Sequence, residues 1–293
     1  MSPSGPAIEV HDLHKRYGEL EAVRGIDIEV QRGEVFGLLG PNGAGKTTTV
    51  EILEGYREPS SGEVSVLGHD PQRREIALRK RIGIVLQSSG IYSHVTPREA
   101  LRHWASFYPH PRKVEEVLDL MGLGEKADVR TRKLSGGQLR RLDFALALVG
   151  DPELIFLDEP TTGFDPQARR AAWETVSSLK ALGKTILLTT HYLDEAQALA
   201  DRVAIVKDGR VLAIGPPRGL SAHPPETHPP GAAHYRVAYR DAAGDLVEID
   251  SEDPTRTLHE LTSEALARGE RLEELSVGRP TLEDVYLELT ADA

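Results

Sequence analysis

The chain has 293 residues, enough for one large domain with a full core and a small second one. It contains no cysteine, which excludes a disulfide framework and any thiolate metal site. Its net charge is −11, and without a basic stripe it makes a poor nucleic-acid binder.

The charge is uneven: residues 216–293 hold 7 Arg against 16 Asp and Glu, and the rest of the chain 28 basic against 30 acidic side chains. No apolar run approaches the roughly 18 residues of a membrane span. Met1 to Ala7 has two prolines, a glycine and no apolar block, so it does not read as a signal peptide. The protein is expected to be cytosolic as synthesised.

Ile8 to Gly18 and Ala22 to Val30 read as two short antiparallel strands. Tyr17 ends the first; taken alone, such an aromatic packs a strand. Val35 to Leu39 is nearly continuous apolar sequence, as in a strand buried on both faces of a parallel sheet. It runs into Gly40-Pro41-Asn42-Gly43-Ala44-Gly45-Lys46-Thr47-Thr48, and Thr47 to Gly55 reads as helix. That order of strand, glycine-rich loop and helix is the context of a phosphate-binding loop. Gly40, Gly43 and Gly45 are expected to take positive φ and let the backbone approach an anion, with N–H groups pointing inward at the helix start. Lys46 then reaches the β- and γ-phosphates, and the Thr47 hydroxyl holds Mg²⁺.

Glu63 to Leu67 and Ile82 to Leu86 are further strands, the second stopping at Gln87. Thr96 and Glu99 have capping-box spacing around Pro97, which opens an all-helical insert over about 96–133. Leu134-Ser135-Gly136-Gly137-Gln138 comes next, followed by a helix over Leu139 to Val149. Ser135 and Gln138 again have capping-box spacing, but two glycines at a helix start are costly. Close approach of an anion to bare N–H groups accounts for both features.

Leu154 to Leu157 is a buried-type strand ending in Asp158-Glu159-Pro160, where parallel sheets place ligands. Asp165-Pro166 caps a helix through Leu182, Thr185 to Thr190 is a strand ending at His191, and Asp194 to Ala200 is helical. Val203 to Val206 and Val211 to Ile214 form a hairpin that closes the domain at about residue 215. Residues 216–230 hold six prolines and read as an extended linker. Beyond it, 231–293 shows strands at Tyr235 to Tyr239, Leu246 to Ile249 and Leu272 to Val277, a helix over Thr257 to Arg268 and a final capped helix from Thr281. The expected fold is therefore an α/β nucleotide-binding core, with an antiparallel β subdomain and a helical insert, followed by a small α+β C-terminal domain.

Tyr17, GPNGAGKTT, Gln87, LSGGQ, LIFLDEP, Gly163-Phe164-Asp165 and His191 occur over residues 8–215 in the order of one family. The chain resembles the ATP-binding subunit of an ABC transporter, a P-loop NTPase. The resemblance implies ATP and Mg²⁺ as ligands. It puts Tyr17 on the adenine, Lys46 and the amides of residues 40–48 on the phosphates, and Thr47, Gln87 and, through water, Asp158 on the metal. Glu159 polarises the attacking water, and His191 contacts the γ-phosphate and that water. Ser135, Gly136, Gly137 and Gln138 belong to the site of ATP bound in the other subunit of a head-to-tail homodimer, with Asp165 at the seam.

Leu142-Asp143-Phe144-Ala145, the short acidic tail and its ending Pro280 to Thr290 resemble, more narrowly, bacterial multidrug and antibiotic exporters. In these the ATPase works through a separate transmembrane permease, peripheral to the cytoplasmic face of the membrane. Phe164 and Leu146 stand where the family usually has Leu and often Arg. The alternatives are an importer ATPase and a non-transport ABC ATPase.

Overall fold

The computed structural model describes residues 5–87, 90–218, 220, 235–241, 244–278 and 281–291. The proline-rich stretch at 216–230 and the beginning of the expected terminal domain, 231–234, lie outside the described residues apart from 216–218 and 220. The chain divides into two compact units, residues 1–211 and 212–293.

In the first unit, β1 (Ile8–Tyr17) and β2 (Leu20–Val30) pair antiparallel, Ile8 opposite Val30 and Tyr17 opposite Leu20. β3 (Val35–Leu39) is buried at every residue and delivers the chain into the glycine loop, after which α1 (Lys46–Leu53) begins. β4 (Ser61–Val66) returns to pair with the free edge of β1. A 3₁₀ turn at Pro71–Arg73 and the one-turn helix α2 (Ile76–Arg79) precede β5 (Ile82–Val85). Neither was expected, because three or four residues are too few to display a helical period.

The helical insert contains α3 (Pro97–Ala105), α4 (Val114–Leu120) and 3₁₀ turns at Gly124–Lys126 and Thr131–Lys133. Thr96 and Glu99 form the expected reciprocal capping box. Ser135 and Gln138 form another at the head of α5 (Gly136–Leu148). Both glycines lie inside its first turn, as the capping-box spacing predicts.

β6 (Leu154–Asp158), α6 (Pro166–Ala181), β7 (Thr185–Thr190), α7 (Leu193–Leu199), β8 (Arg202–Lys207) and β9 (Arg210–Gly215) follow. Asp208 and Gly209, at φ 49° and 77°, supply the two left-handed residues of a tight hairpin turn. The main sheet has the order β5-β6-β7-β3-β8-β9 and is parallel from β5 to β8. Because β6, β7 and β3 are neighbours, their C-terminal ends lie side by side. Asp158 pairs with Thr189, and Leu39 with Thr190. Such a row of strand ends is where an open α/β sheet binds its ligand.

The two faces of this sheet feed two cores, as the twofold period of a strand requires. Leu154 and Phe156 of β6, with Leu187 of β7, join the antiparallel strands and α1. Ile155 and Leu157, with Ile186 and Leu188, pack against α5, α6 and the helical insert.

The second unit has a three-stranded antiparallel sheet, β11-β10-β12, from β10 (Tyr235–Arg240), β11 (Leu246–Ser251) and β12 (Glu273–Gly278). α8 (Pro254–Arg268) and α9 (Leu282–Ala291) complete it. Val237, Ala265, Leu282 and Val285 are buried, whereas Leu246 and Leu266 stay 57% and 78% exposed and β12 is exposed throughout. Much of the apolar pattern of the tail therefore stays at the surface of a thin core. Arg236 ties α9 to β11: its guanidinium lies 3.0 Å from Asp250, 3.6 Å from Glu248 and 3.8 Å from both Asp284 and Glu288.

Candidate nucleotide site

Gly43 and Gly45 take φ of 83° and 98°, as the turn before α1 demands. Gly40 does not, which corrects the expectation from sequence. Its reason is space, since a Cβ there would lie 2.1 Å from the Val206 carbonyl oxygen. Ala44 is buried, while Pro41, Asn42, Gly43 and Thr47 are exposed at the mouth of the loop and Thr48 is half-buried. Lys46 is only 4% exposed and donates from Nζ to the carbonyl oxygens of Gly40 (2.7 Å) and Pro41 (3.0 Å). Burial lowers its pKa, and the carboxylates of Glu159 and Asp158 oppose that shift. A desolvated cation resting on two neutral carbonyls is poised for a stronger anionic partner.

The carboxylates stand beside it. Asp158 Oδ1 accepts from the Thr189 hydroxyl (2.6 Å) and the Thr47 hydroxyl (3.4 Å). Glu159 has φ 43°, a left-handed conformation uncommon for a residue with a side chain, and its N–H donates to Thr189 Oγ1 at 2.9 Å. Glu159 Oε2 accepts from Thr162 Oγ1 (3.0 Å) and Gln87 Nε2 (3.3 Å). Its Oε1 lies 3.4 Å from His191 Nδ1 and 3.9 Å from Lys46 Nζ. Lys46, Thr47, Gln87, Asp158, Glu159 and His191, chosen from sequence, thus converge on one place from α1, β6 and the segments after β5 and β7. Thr189 and Thr162 belong to the same cluster and were missed, since nothing in an apolar strand or a turn flags a threonine.

Tyr17 stands at the end of β1, 39% exposed, with the Lys15 ammonium 5.2 Å and the Arg57 guanidinium 5.5 Å from its ring centre. Among the described residues, it takes no part in the contacts around Glu159. Ser135, Gly136 and Gly137 are also elsewhere. They line a cleft of about 530 Å³ together with Arg140, Phe164 and Asp165. Gln138 caps its own helix, its Oε1 accepting from the Ser135 N–H at 3.0 Å while its N–H donates to Ser135 Oγ at 3.3 Å. A Cβ on Gly136 or Gly137 would meet nothing within 4 Å. Asp165 caps α6 by accepting from the N–H groups of Gln167 and Ala168, both at 2.9 Å.

A glycine loop opening a helix, beside carboxylates at the end of a neighbouring parallel strand, defines a P-loop NTPase. Residues 23–162 match the family described as ABC transporter. The chain belongs to the ATP-binding subunits of ABC transporters, and its reaction is ATP hydrolysis.

It is 38% identical to a daunorubicin resistance ATP-binding protein of Streptomyces coeruleorubidus, over 98% of this chain and 96% of that one. It is 40% identical to a Nod factor export ATP-binding protein of Sinorhizobium fredii, over 99% of this chain and 87% of that one. Among solved structures, a dimeric ATP-binding cassette in a post-hydrolysis state with ADP and Pi matches 72% of this chain and 99% of its own. That match has a TM-score of 0.63 and 25% identity. Among the described residues no helix is long and apolar enough to cross a membrane, and the family works with a membrane permease.

Proposed function

We propose that this chain powers export of a drug-like or antibiotic compound through a separate transmembrane permease, docked on the cytoplasmic face of the membrane. The relatives' printed names, drug resistance and Nod factor export, support export over import or a non-transport role.

In this reading, ATP lies on backbone N–H groups of residues 42–48 with its adenine on Tyr17, and its phosphates replace the Gly40 and Pro41 carbonyls as acceptors for Lys46. The oxygens of Thr47 and Asp158, with Gln87 nearby, suit a hard cation. Two or three such groups are too few for an all-protein cage, so these residues would hold Mg²⁺ together with bound nucleotide. The metal supplies charge neutralisation to the transferring phosphoryl group. Glu159 accepts a hydrogen bond from the attacking water and orients it, and His191 supports that water and the γ-phosphate. Gly136 and Gly137, with Ser135 and Gln138 capping their turn, present bare N–H groups to ATP held by the second copy of a homodimer.

The observation that carries this reading is the convergence of Lys46, Gln87, Thr162 and His191 on the Glu159 carboxylate within 3.0–3.9 Å. Glu159→Gln keeps the shape and removes the charge. ATP binding is expected to persist while turnover falls by about a hundredfold or more. A steady-state ATPase assay paired with nucleotide binding checks this, and near-normal turnover would overturn the role of Glu159.

A further inference from the structure

Arg140 is 5% exposed, one of the few charged side chains that the first unit buries. The sequence gives no reason to single it out, and the hydrolytic reaction described above does not use it. A buried guanidinium is expensive unless its donors are spent on defined acceptors.

Those acceptors are main-chain carbonyls at two particular places. Nη1 donates to the carbonyl of Leu86, the residue immediately before Gln87. Nε donates to the carbonyl of Pro160, the residue immediately after Glu159, at 3.0 Å. Asp143, one turn further along α5, stands 3.8 Å from Nη1 and keeps the positive charge favourable. Nη2 has no hydrogen-bond partner among the described residues. The Phe144 ring centre lies 5.6 Å from the guanidinium carbon.

Behind Pro160 the polar chain continues. Glu195 of α7 is fully buried, and its Oε1 accepts from the Thr161 hydroxyl at 2.8 Å and from Trp173 Nε1 of α6 at 3.1 Å. Arg140 and Glu195 thus anchor the segment before Gln87 and the segment just after Glu159 to three helices. Only Arg140 reaches the helix that begins with Ser135, Gly136 and Gly137, five residues upstream of it. A helix is stiff over so short a distance, so movement at its first turn carries the guanidinium with it. Any such movement therefore pulls on the peptides that place Gln87 and Glu159.

We propose that Arg140 is a positioning residue that couples the Ser135–Gly137 helix start to the placement of Gln87 and Glu159. Contact at that helix start then sets hydrolysis and not the capture of ATP by the Lys46 loop. The proposal rests on the roles assigned above to Gln87 and Glu159.

The test uses the full chain with Arg140→Lys and Arg140→Met, with Glu159→Gln and wild type alongside. Lysine keeps the charge but lacks the fork that reaches two carbonyls at once. Losing one charge-assisted bond predicts a fall in kcat of about tenfold for Arg140→Lys, with KM for ATP and binding of a fluorescent ATP analogue within threefold of wild type. The Mg²⁺ concentration for half-maximal activity should rise at least threefold, because Leu86 no longer fixes the turn to Gln87. Arg140→Met should lose more in kcat without losing nucleotide binding. If it does not fold, Arg140→Lys alone decides.

A purely structural role would lower thermal stability and active fraction while leaving the Mg²⁺ dependence unchanged. Arg140→Lys with wild-type kcat and wild-type Mg²⁺ dependence would overturn the coupling. Normal turnover in Glu159→Gln would instead overturn the site reading on which it rests.

Discussion

At Gly40 and Gly45 an added Cβ would lie 2.1 Å from the Val206 carbonyl oxygen and 2.5 Å from that of Ala22, whereas at Gly136 and Gly137 it would meet nothing within 4 Å. Both pairs stand at helix starts that sequence reasoning linked to phosphate. In the first, the chain's own backbone passes so close that no side chain fits. In the second, the subunit leaves open space, and alanine would favour the helix by about 0.5–1 kcal/mol per site. The first loop is shaped by this fold. The second keeps glycine at a cost that nothing among the described residues explains, and the proposed contact with the nucleotide of a second copy would account for it.

This contrast sets the largest expected effect. Gly45→Ala combines φ 98° with a backbone clash that no rotamer relieves. It should cost on the order of 3 kcal/mol or more, the range of severe strain and overpacking. Gly40→Ala, with ordinary φ but the closer clash, should do the same. Urea denaturation measures both. A loss below about 1 kcal/mol in either variant would mean that the loop is far more plastic than its packing implies.

Gly137→Ala should behave in the opposite way. Stability should hold or rise by up to about 1 kcal/mol, while ATPase activity at saturating ATP falls about tenfold, as when one stabilising donor is pushed away from developing charge. Thermal melts and steady-state turnover on the same preparation separate the two effects. Unchanged turnover would remove the argument that this glycine serves a ligand.

The fold was legible wherever a pattern repeats. The buried runs Val35–Leu39 and Leu154–Leu157, the two capping boxes and the Asp165 cap were visible because periodicity and capping are local. The short helix Ile76–Arg79 was not, being too brief to show a period. Gly40 was assigned the wrong reason, because its clash comes from Val206, far along the chain. Thr189 and Arg140 escaped for the same cause: their partners are set by strand order, and a single threonine or arginine carries no mark of it, while Thr162 bonds Glu159 only three residues back in a turn with no pattern to flag it. In the tail the sequence placed the strands but overstated the core, since the exposure of Leu246 and Leu266 depends on how few elements cover them.

The two helix starts differ in charge as well, and this yields the smallest effect. The glycine loop leads into a helix whose far end holds Glu51, paired with Arg57, and Glu54, within reach of the Asp158 charge. Burial, reinforced by the charges of Asp158 and Glu51, pushes the Glu54 carboxyl up to about 8. In the unfolded chain the same group titrates near 4.5. Between those two values the folded protein holds a proton that the unfolded chain has released, so stability falls as pH rises through this window. Below about pH 4 the group is protonated in both states and contributes no slope. Glu54→Gln removes the titration, so its stability relative to wild type should be near zero at pH 5 and grow through pH 8. The gain should reach about 1–2 kcal/mol, less than full linkage would give, because Glu54 is only half-buried and water screens it. Urea melts of both proteins at pH 5, 6.5 and 8 check the sign. A difference that stays flat or shrinks as pH rises would show that Glu54 is ionised in the folded protein at neutral pH.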